Sequence, residues 1–189
     1  MDPLWKTALW QQFGATIDML KNALLACPNT HWSGRLWGES GDNPQPEEYA
    51  TFWRITYHTL FWLDLYLTGS REGFAPPAPF TLEQGVLPKQ PYSRDELHTY
   101  LVYLRKKCQA TIAELSDERA HQQVDFTSSI GKPVSFLELL LYNMRHVQEH
   151  ATQLNLFLGQ NGISEVSDWV SQAKADEDDG STHLQVSGN

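Results

Sequence analysis

Residues 135–159, SFLELLLYNMRHVQEHATQLNLFLG, decide the fold class of this chain. Apolar side chains recur in this stretch at steps of three and four residues, which is the pattern of an amphipathic helix packed in a bundle. Its opening serine, Ser135, is followed three residues later by Glu138, and this spacing is a capping box at a helix N-terminus. The stretch therefore predicts a long helix with one buried face.

Three further segments show the same helical spacing, at about residues 3–27, 46–68 and 93–115. Pro46 suits the first turn of the second segment, and Gly69 suits the residue just beyond its end. Ser93 and Glu96 form another capping box at the start of the third segment. Because no stretch alternates apolar and polar residues as a half-buried strand does, we predict an all-α protein, a four-helix bundle.

The segments that connect these helices are long, at residues 28–45, 69–92 and 116–132. Long connections suit helices that are not adjacent, so we predict crossover connections in the bundle. The amphipathic segment Val166–Val170 predicts a short extra C-terminal helix, and an acidic run follows it. We therefore divide the chain into a bundle, residues 1–162, and a C-terminal extension, residues 163–189.

Charge and composition exclude several classes of function. The formal net charge is −9, and no basic patch with interleaved aromatic residues is visible, so we expect no nucleic-acid partner. No apolar run is long enough to cross a bilayer, and the N-terminus lacks the pattern of a signal peptide, so we expect no membrane partner. Two cysteines, Cys27 and Cys108, do not make a disulfide framework, and we expect a cytoplasmic protein.

The buried seam of the fourth helix turns polar in its middle. The seam positions, which step by three and four, are Phe136, Leu139, Asn143, His146, His150, Gln153 and Phe157. An unpartnered buried polar group costs about 1–3 kcal/mol, so four in a row need a common partner. A metal ion ligated by the two histidines would supply one, with Asn143 or Gln153 orienting a ligand or a water.

The candidate for a third ligand is His58, which lies on an apolar stripe of the second helix with Ile55, Trp62 and Leu65, where a neutral imidazole must either hydrogen-bond or ligate. Three histidines without a carboxylate form a neutral ligand set that suits zinc, with nickel as the alternative. Three protein ligands leave a coordination position open for water or a small-molecule substrate. The competing interpretation is structural, because a buried histidine is more often a hydrogen-bonded core residue than a ligand.

His58 together with His146-x-x-x-His150-x-x-Gln153 resembles the DinB-like superfamily, over about residues 3–160. The resemblance implies a four-helix bundle with a crossover, a metal site formed by His58, His146 and His150, and a homodimer. Many members have His-Arg-Gly-Gln around the last ligand, whereas this chain has His150-Ala-Thr-Gln153, so the resemblance assigns no subgroup.

The same resemblance implies a function. Some relatives are metal-dependent S-transferases or isomerases that use a low-molecular-weight thiol, and a metal ion suits that chemistry because it lowers the pKa of a thiol. We therefore expect a metal-dependent thiol S-transferase or a related thiol-dependent enzyme. The alternative is a non-catalytic bundle that binds a metal or a small ligand.

A third alternative uses the same residues differently. The run from His146 to His150 reads H-x-x-E-H, the motif of an inverted zinc protease with Glu149 as general base. On a helix Glu149 lies about 100° from His150, at the edge of the seam. That class also needs a distant acidic ligand downstream, for which this chain is too short after His150. We rank this hydrolase below the other two functions.

Overall fold

A computed structural model describes residues 2–38, 47–81, 88–163 and 169–175. Its four long helices are α1 (Pro3–Ala26), α2 (Phe52–Thr68), α3 (Arg94–Ala113) and α6 (Phe136–Gln160). Between α3 and α6 lie short elements, namely α4 (Asp117–His121), β1 (Gln123–Val124), α5 (Thr127–Ile130) and β2 (Val134–Ser135). The two strands pair antiparallel, with Gln123 opposite Ser135. The protein is thus the predicted helical bundle with one very small sheet.

The packing of the long helices shows the crossover. Helix α1 packs against α6 and α3, and helix α2 packs against the same two helices. Consecutive helices α1 and α2 therefore lie diagonally across the bundle from each other, which requires the long connection between them. The functional consequence is that α2 and α6 are neighbours, although about 70 residues of chain separate them.

The predicted helix ends are largely confirmed. Helix α3 begins with a complete capping box, in which Ser93 accepts from the backbone N–H of Glu96 and the Glu96 carboxylate accepts from the N–H of Ser93. The hydroxyl of Ser135 accepts from the backbone N–H of Glu138 at the start of α6. Gly69 ends α2 with a φ of 76°, a left-handed conformation that glycine adopts without strain.

The predicted start of the second helix is wrong. Helix α2 begins at Phe52, not near Pro46, and Glu47–Ala50 form a single 3₁₀ turn; residues 39–46 lie outside the described residues. Thr51 is extended because the backbone pairs with the preceding loop: the N–H of Phe52 donates to the carbonyl of Gly34 at 2.9 Å. This pairing prevents the helix from starting earlier.

The third connection is more ordered than predicted. Residues 116–132 contain α4, β1 and α5, and Ser116 caps α4 by accepting from the N–H of Arg119. These helices and strands are too short for a repeat of apolar residues to mark them in the sequence. This connection places α5 beside the end of α2.

The end of the described chain lies along the bundle. Of the predicted short helix, residues 166–168 lie outside the described residues, and Trp169 and Val170 are not helical; the acidic run also lies outside them. The N–H of Ala173 donates to the carbonyl of Gln11 at 2.9 Å, and the N–H of Lys174 donates to the Asp18 carboxylate at 2.8 Å. Residues 169–175 thus pack on α1. Among the described residues, no helix is long and apolar enough to span a bilayer.

Candidate metal centre

His58 from α2 and His146 and His150 from α6 meet at the interface of these neighbouring helices. The Nε2 atom of His146 lies 3.2 Å from that of His58 and 3.1 Å from that of His150. All three residues are half-buried, and each offers one ligand atom within 4.8 Å of the other two. We call this cluster the histidine centre. The structure therefore brings together all three residues that the sequence singled out.

Helix geometry explains why these imidazoles converge. His146 and His150 are one turn apart, so their side chains project from the same face of α6. Their ring centroids lie 4.6 Å apart, and the ring of His58 lies 5.2 Å and 5.0 Å from those of His146 and His150. The rings are tilted or perpendicular to one another, so their nitrogens, and not their faces, point into the shared space.

Hydrogen bonds alone do not satisfy this arrangement. A neutral imidazole nitrogen carries either a proton or a lone pair, so the Nε2 of His146 makes one good hydrogen bond at a time. Two other Nε2 atoms nevertheless face it at hydrogen-bond distance. One ion that accepts a lone pair from each ring would satisfy all three nitrogens together.

Gln153 fixes the orientation and tautomer of one ring. The Nδ1 of His150 lies 2.8 Å from the Oε1 of Gln153. Because an amide oxygen only accepts, Nδ1 carries the proton, and the Nε2 of His150 is left with a lone pair that faces His146. This is the arrangement of a metal-ligating histidine with a supporting hydrogen bond.

Asn143, the other polar seam residue, has a different role. Its side chain is fully buried and donates to the backbone carbonyl of Leu63 at 3.2 Å, which ties α6 to α2. Of the two amides proposed to orient a ligand, only Gln153 contacts the histidine centre. The Nδ1 of His146 is buried and has no hydrogen-bond partner among the described residues. A bond at Nε2 would therefore determine which tautomer His146 adopts.

The electrostatics keep the rings in the form that binds metals. Burial, with a smaller contribution from His150, lowers the pKa of His146 to about 3. Burial also lowers the pKa of His150, against the opposing effects of its bond to Gln153 and of the Glu149 charge. Both imidazoles are consequently neutral at pH 7, and neutral imidazole is the ligating form.

The distances fit a transition-metal ion. With metal–nitrogen bonds of about 2.0–2.1 Å, two ligand nitrogens of a tetrahedral site lie about 3.3 Å apart. The two Nε2–Nε2 distances at His146, 3.2 Å and 3.1 Å, are close to that value. Three neutral nitrogen donors suit zinc or nickel better than calcium or magnesium, which take oxygen ligands.

Aromatic side chains form one side of the centre. Trp62 lies 6.3 Å from the His58 ring, Tyr66 lies 6.4 Å from the His146 ring, and Tyr142 packs on Tyr66 at 5.6 Å, all between ring centroids. We call these three residues the aromatic wall. The two tyrosines were not singled out from the sequence, although Tyr66 follows His58 by eight residues and Tyr142 precedes His146 by four, which are helical spacings.

A groove borders the centre at His146, and Tyr142 of the aromatic wall lines it as well. This groove, of about 700 Å³, runs along the exposed side of α6, and Gln153 also lines it. Trp169 lines the same groove, so the C-terminal segment borders it. The groove is large enough to admit a small-molecule ligand to the space beside His146.

The remaining candidates lie outside the centre. Glu149 is exposed on α6, as the helical wheel predicted for an edge residue. Cys27 and Cys108 are fully buried and free. Burial raises the pKa of Cys27 to about 12 and also raises that of Cys108, so both thiols stay protonated and are poor ligands.

The fold and the centre together define a helical bundle that presents three histidines between neighbouring helices. A comparison with protein families matches residues 7–154 to the DinB superfamily. This chain belongs to that superfamily, as the resemblance indicated. A comparison with curated proteins finds no match.

Two solved structures have a similar fold. A DinB-like protein from Bacillus cereus superposes with a TM-score of 0.55 at 16% sequence identity, covering 83% of this chain and 89% of that one. A DinB-like protein from Bacillus subtilis gives 0.52 at 16% identity, covering 90% of this chain and 99% of that one. At this identity the similarity concerns the fold alone.

Proposed function

We propose that the histidine centre binds one divalent transition-metal ion, zinc in the first place and nickel as the alternative. The observation that carries this proposal is the approach of two Nε2 atoms to the Nε2 of His146 at tetrahedral ligand spacing. His58, His146 and His150 would hold the ion, and Gln153 would orient His150.

Metal analysis tests this proposal. We expect about one equivalent of metal per wild-type chain. His58→Ala and His146→Ala should lose it, because two neutral ligands hold the ion much more weakly than three. His121→Ala, which changes an exposed histidine on α4, is the matched control and should keep its metal. Equal metal content in all four proteins would place the site elsewhere.

For the activity, we propose thiol-dependent S-transfer at this centre. When bound, the ion would supply Lewis-acid stabilisation of a thiolate. The aromatic wall would exclude water from one side of the reacting sulfur, and the groove along α6 would admit the second substrate. The thiol would release its proton to solvent, and the thiolate sulfur would then form a bond to an electrophilic carbon and displace its leaving group.

Conjugation assays separate this activity from its alternatives. With chlorodinitrobenzene as the electrophile, each turnover forms one carbon–sulfur bond and releases chloride and a proton. Thiol-dependent turnover that His146→Ala abolishes supports the transferase. Bound metal without turnover for any thiol and electrophile pair supports the non-catalytic bundle. Glu149→Gln tests the hydrolase alternative. The hydrolase needs Glu149 as its general base and would lose its activity, whereas S-transfer would continue because Glu149 is an exposed residue at the edge of the seam.

We infer that the protein is a homodimer that buries an apolar face of α1 and α6. Leu4 and Trp5 are exposed on α1, at 73% and 69%, and Leu141 is exposed on α6 at 44%. Trp5 and Leu141 also line an almost wholly apolar groove. A protruding apolar residue beside an apolar groove suits a two-fold contact between identical copies. Light scattering should show that Trp5→Glu converts a dimer to a monomer, whereas Trp37→Glu does not.

A further inference from the structure

Arg71 lies just beyond the end of α2, where its guanidinium makes four side-chain contacts. Its guanidinium carbon lies 5.3 Å from the ring centroid of Trp62 and 5.5 Å from that of Phe126. Its Nη2 donates to the hydroxyls of Ser128 and Ser129 at 3.0 Å and 2.8 Å. Two aromatic faces and two hydroxyls therefore fix the position of an exposed cation, which is unusual for a solvated arginine side chain.

The aromatic wall connects this cation to the histidine centre. Trp62 lies under the guanidinium and beside the His58 ring. The Tyr66 ring lies beside His146 and also contacts the ring of Phe126, over which the guanidinium lies. One aromatic ring therefore separates the guanidinium from the imidazoles. The guanidinium carbon lies 5.3 Å and the His58 ring centroid 6.3 Å from the Trp62 centroid, so a ligand that reaches both groups has to extend past this ring.

The guanidinium retains donors for a ligand. Both serine contacts use Nη2, so the N–H groups on Nε and Nη1 are outside these two bonds. In the described part of the chain, no carboxylate forms an ion pair with Arg71. The nearby Asp125 carboxylate accepts instead from the N–H of Thr127 at 3.0 Å, and this bond is the main reason for its lowered pKa.

We propose that Arg71, with Ser128 and Ser129 positioning it, binds the carboxylate of the ligand whose other end occupies the histidine centre. The ligand class is then a small thiol that carries a carboxylate. A fixed guanidinium suits this group because it presents paired donors in the plane that a carboxylate requires. The inference rests on the proposed metal binding and adds to it the chemical class of the ligand.

Thiols matched in length and differing in charge test the inference. The cobalt(II)-loaded protein is titrated with mercaptopropionate and mercaptohexanoate, each against its neutral alcohol, and with aminohexanethiol. The thiolate-to-cobalt charge-transfer band reports binding without any catalysis. We expect at least one carboxylate to bind about fivefold more tightly than its alcohol, since an exposed ion pair contributes up to about 1 kcal/mol, and the amine to bind most weakly. Equal affinities at both lengths overturn the inference.

Arginine variants locate the effect. Arg71→Gln should equalise the carboxylate and its alcohol while leaving the affinity for the alcohol unchanged, and Arg71→Lys should keep part of the preference as a point charge. Arg145→Gln is the matched control, because Arg145 is an exposed cation on the groove next to His146. Loss of the preference in Arg145→Gln, and not in Arg71→Gln, overturns the assignment. If Arg71→Gln does not fold, Arg71→Lys and the wild-type charge series decide the question.

The same titration separates the two proposals. Absence of cobalt binding removes the metal proposal, and the inference falls with it. A charge-transfer band with the neutral thiols but no preference for carboxylates removes only the inference. A preference that is lost in Arg71→Gln supports both.

Discussion

Helix α2 carries polar clusters on two sides, and they are satisfied in different ways. Toward α3, the buried Asp64 carboxylate accepts from the Tyr100 hydroxyl and from the Lys107 ammonium, both at 2.6 Å. Lys107 also donates to the hydroxyl of Thr68 at 2.7 Å. Toward α6, the histidine centre places the Nε2 atoms of His58 and His150 at hydrogen-bond distance from the single Nε2 of His146.

The difference teaches how to distinguish a structural polar cluster from a binding site. Around Asp64, donors, acceptors and charges match within the chain, so the cluster needs nothing further. At the histidine centre, two Nε2 atoms approach the single Nε2 of His146, and burial keeps His146 neutral. The first cluster connects helices α2 and α3. The second is a group of three histidines that could hold a metal ion.

The largest expected difference between the two clusters is the stabilisation of the folded protein by a metal ion. An ion that binds only the folded state stabilises it by about 4 kcal/mol at a free concentration of a thousand times Kd. Urea unfolding with and without zinc should show this increase in the free energy of unfolding for the wild type. His146→Ala should lose it, whereas Asp64→Ala should retain it. An equal increase in His146→Ala would contradict the assignment of the centre.

Removal of Asp64 should have the next largest effect. Asp64→Ala leaves the hydroxyl of Tyr100 without its acceptor and the ammonium of Lys107 without its charged partner, with the Thr68 hydroxyl as a remaining acceptor. We expect a loss of about 3 kcal/mol in the free energy of unfolding, at the low end for a buried pair because the Lys107 side chain is 24% exposed. Urea denaturation of the metal-free protein measures it. Glu72→Ala, which removes an exposed carboxylate, should change stability by less than about 0.5 kcal/mol.

Acid should have a smaller effect on the free energy of unfolding, and this effect arises at the histidine centre. Unfolded histidines gain protons below a pKa of about 6.5, whereas burial holds the pKa of His146 to about 3. Between those values the unfolded state binds more protons, so the free energy of unfolding falls as the pH falls. From pH 7 to pH 5 we expect His146 to account for a loss of about 1–2 kcal/mol in the metal-free protein.

His146→Leu should remove this component of the acid sensitivity, and urea unfolding at the two pH values measures it. His121→Ala, which changes an exposed histidine, is expected to lose as much stability as the wild type. If the His146→Leu variant were as acid-sensitive as the wild type, the buried neutral state of His146 would be refuted.

Local signals predicted the helices and the centre because they act within one helix. Serine caps three residues before glutamate located the starts of α3 and α6, and the polar gap in an apolar seam located His146 and His150. His58 was found by its place on an apolar stripe together with the family resemblance. Apart from the resemblance, each of these signals is a periodicity or a cap, and both can be recognised in a stretch of sequence a few helical turns long.

Features that depend on contacts between distant residues could not be predicted in this way. Periodicity placed Asn143 on the buried face, but its partner, the carbonyl of Leu63, belongs to another helix. Pairing with the loop at Gly34 sets the start of α2 at Phe52. Arg71 meets Ser128 and Ser129 across more than 50 residues of chain, and no local pattern marks that contact.

The smallest expected effect concerns Gln153, which supports the centre without ligating. Gln153→Ala removes the acceptor of the His150 Nδ1 proton, so His150 is free to rotate or to change tautomer. Competition with a chromophoric chelator should show metal affinity about tenfold weaker, with little change in the stability of the metal-free protein. Gln148→Ala is the matched control, since Gln148 bonds to Thr152 on the same helix and not to a histidine. If both variants weaken metal binding equally, the effect belongs to α6 as a whole. If only Gln153→Ala does so, the Gln153–His150 bond specifically supports metal binding, whereas the bonds around Asp64 stabilise the fold alone.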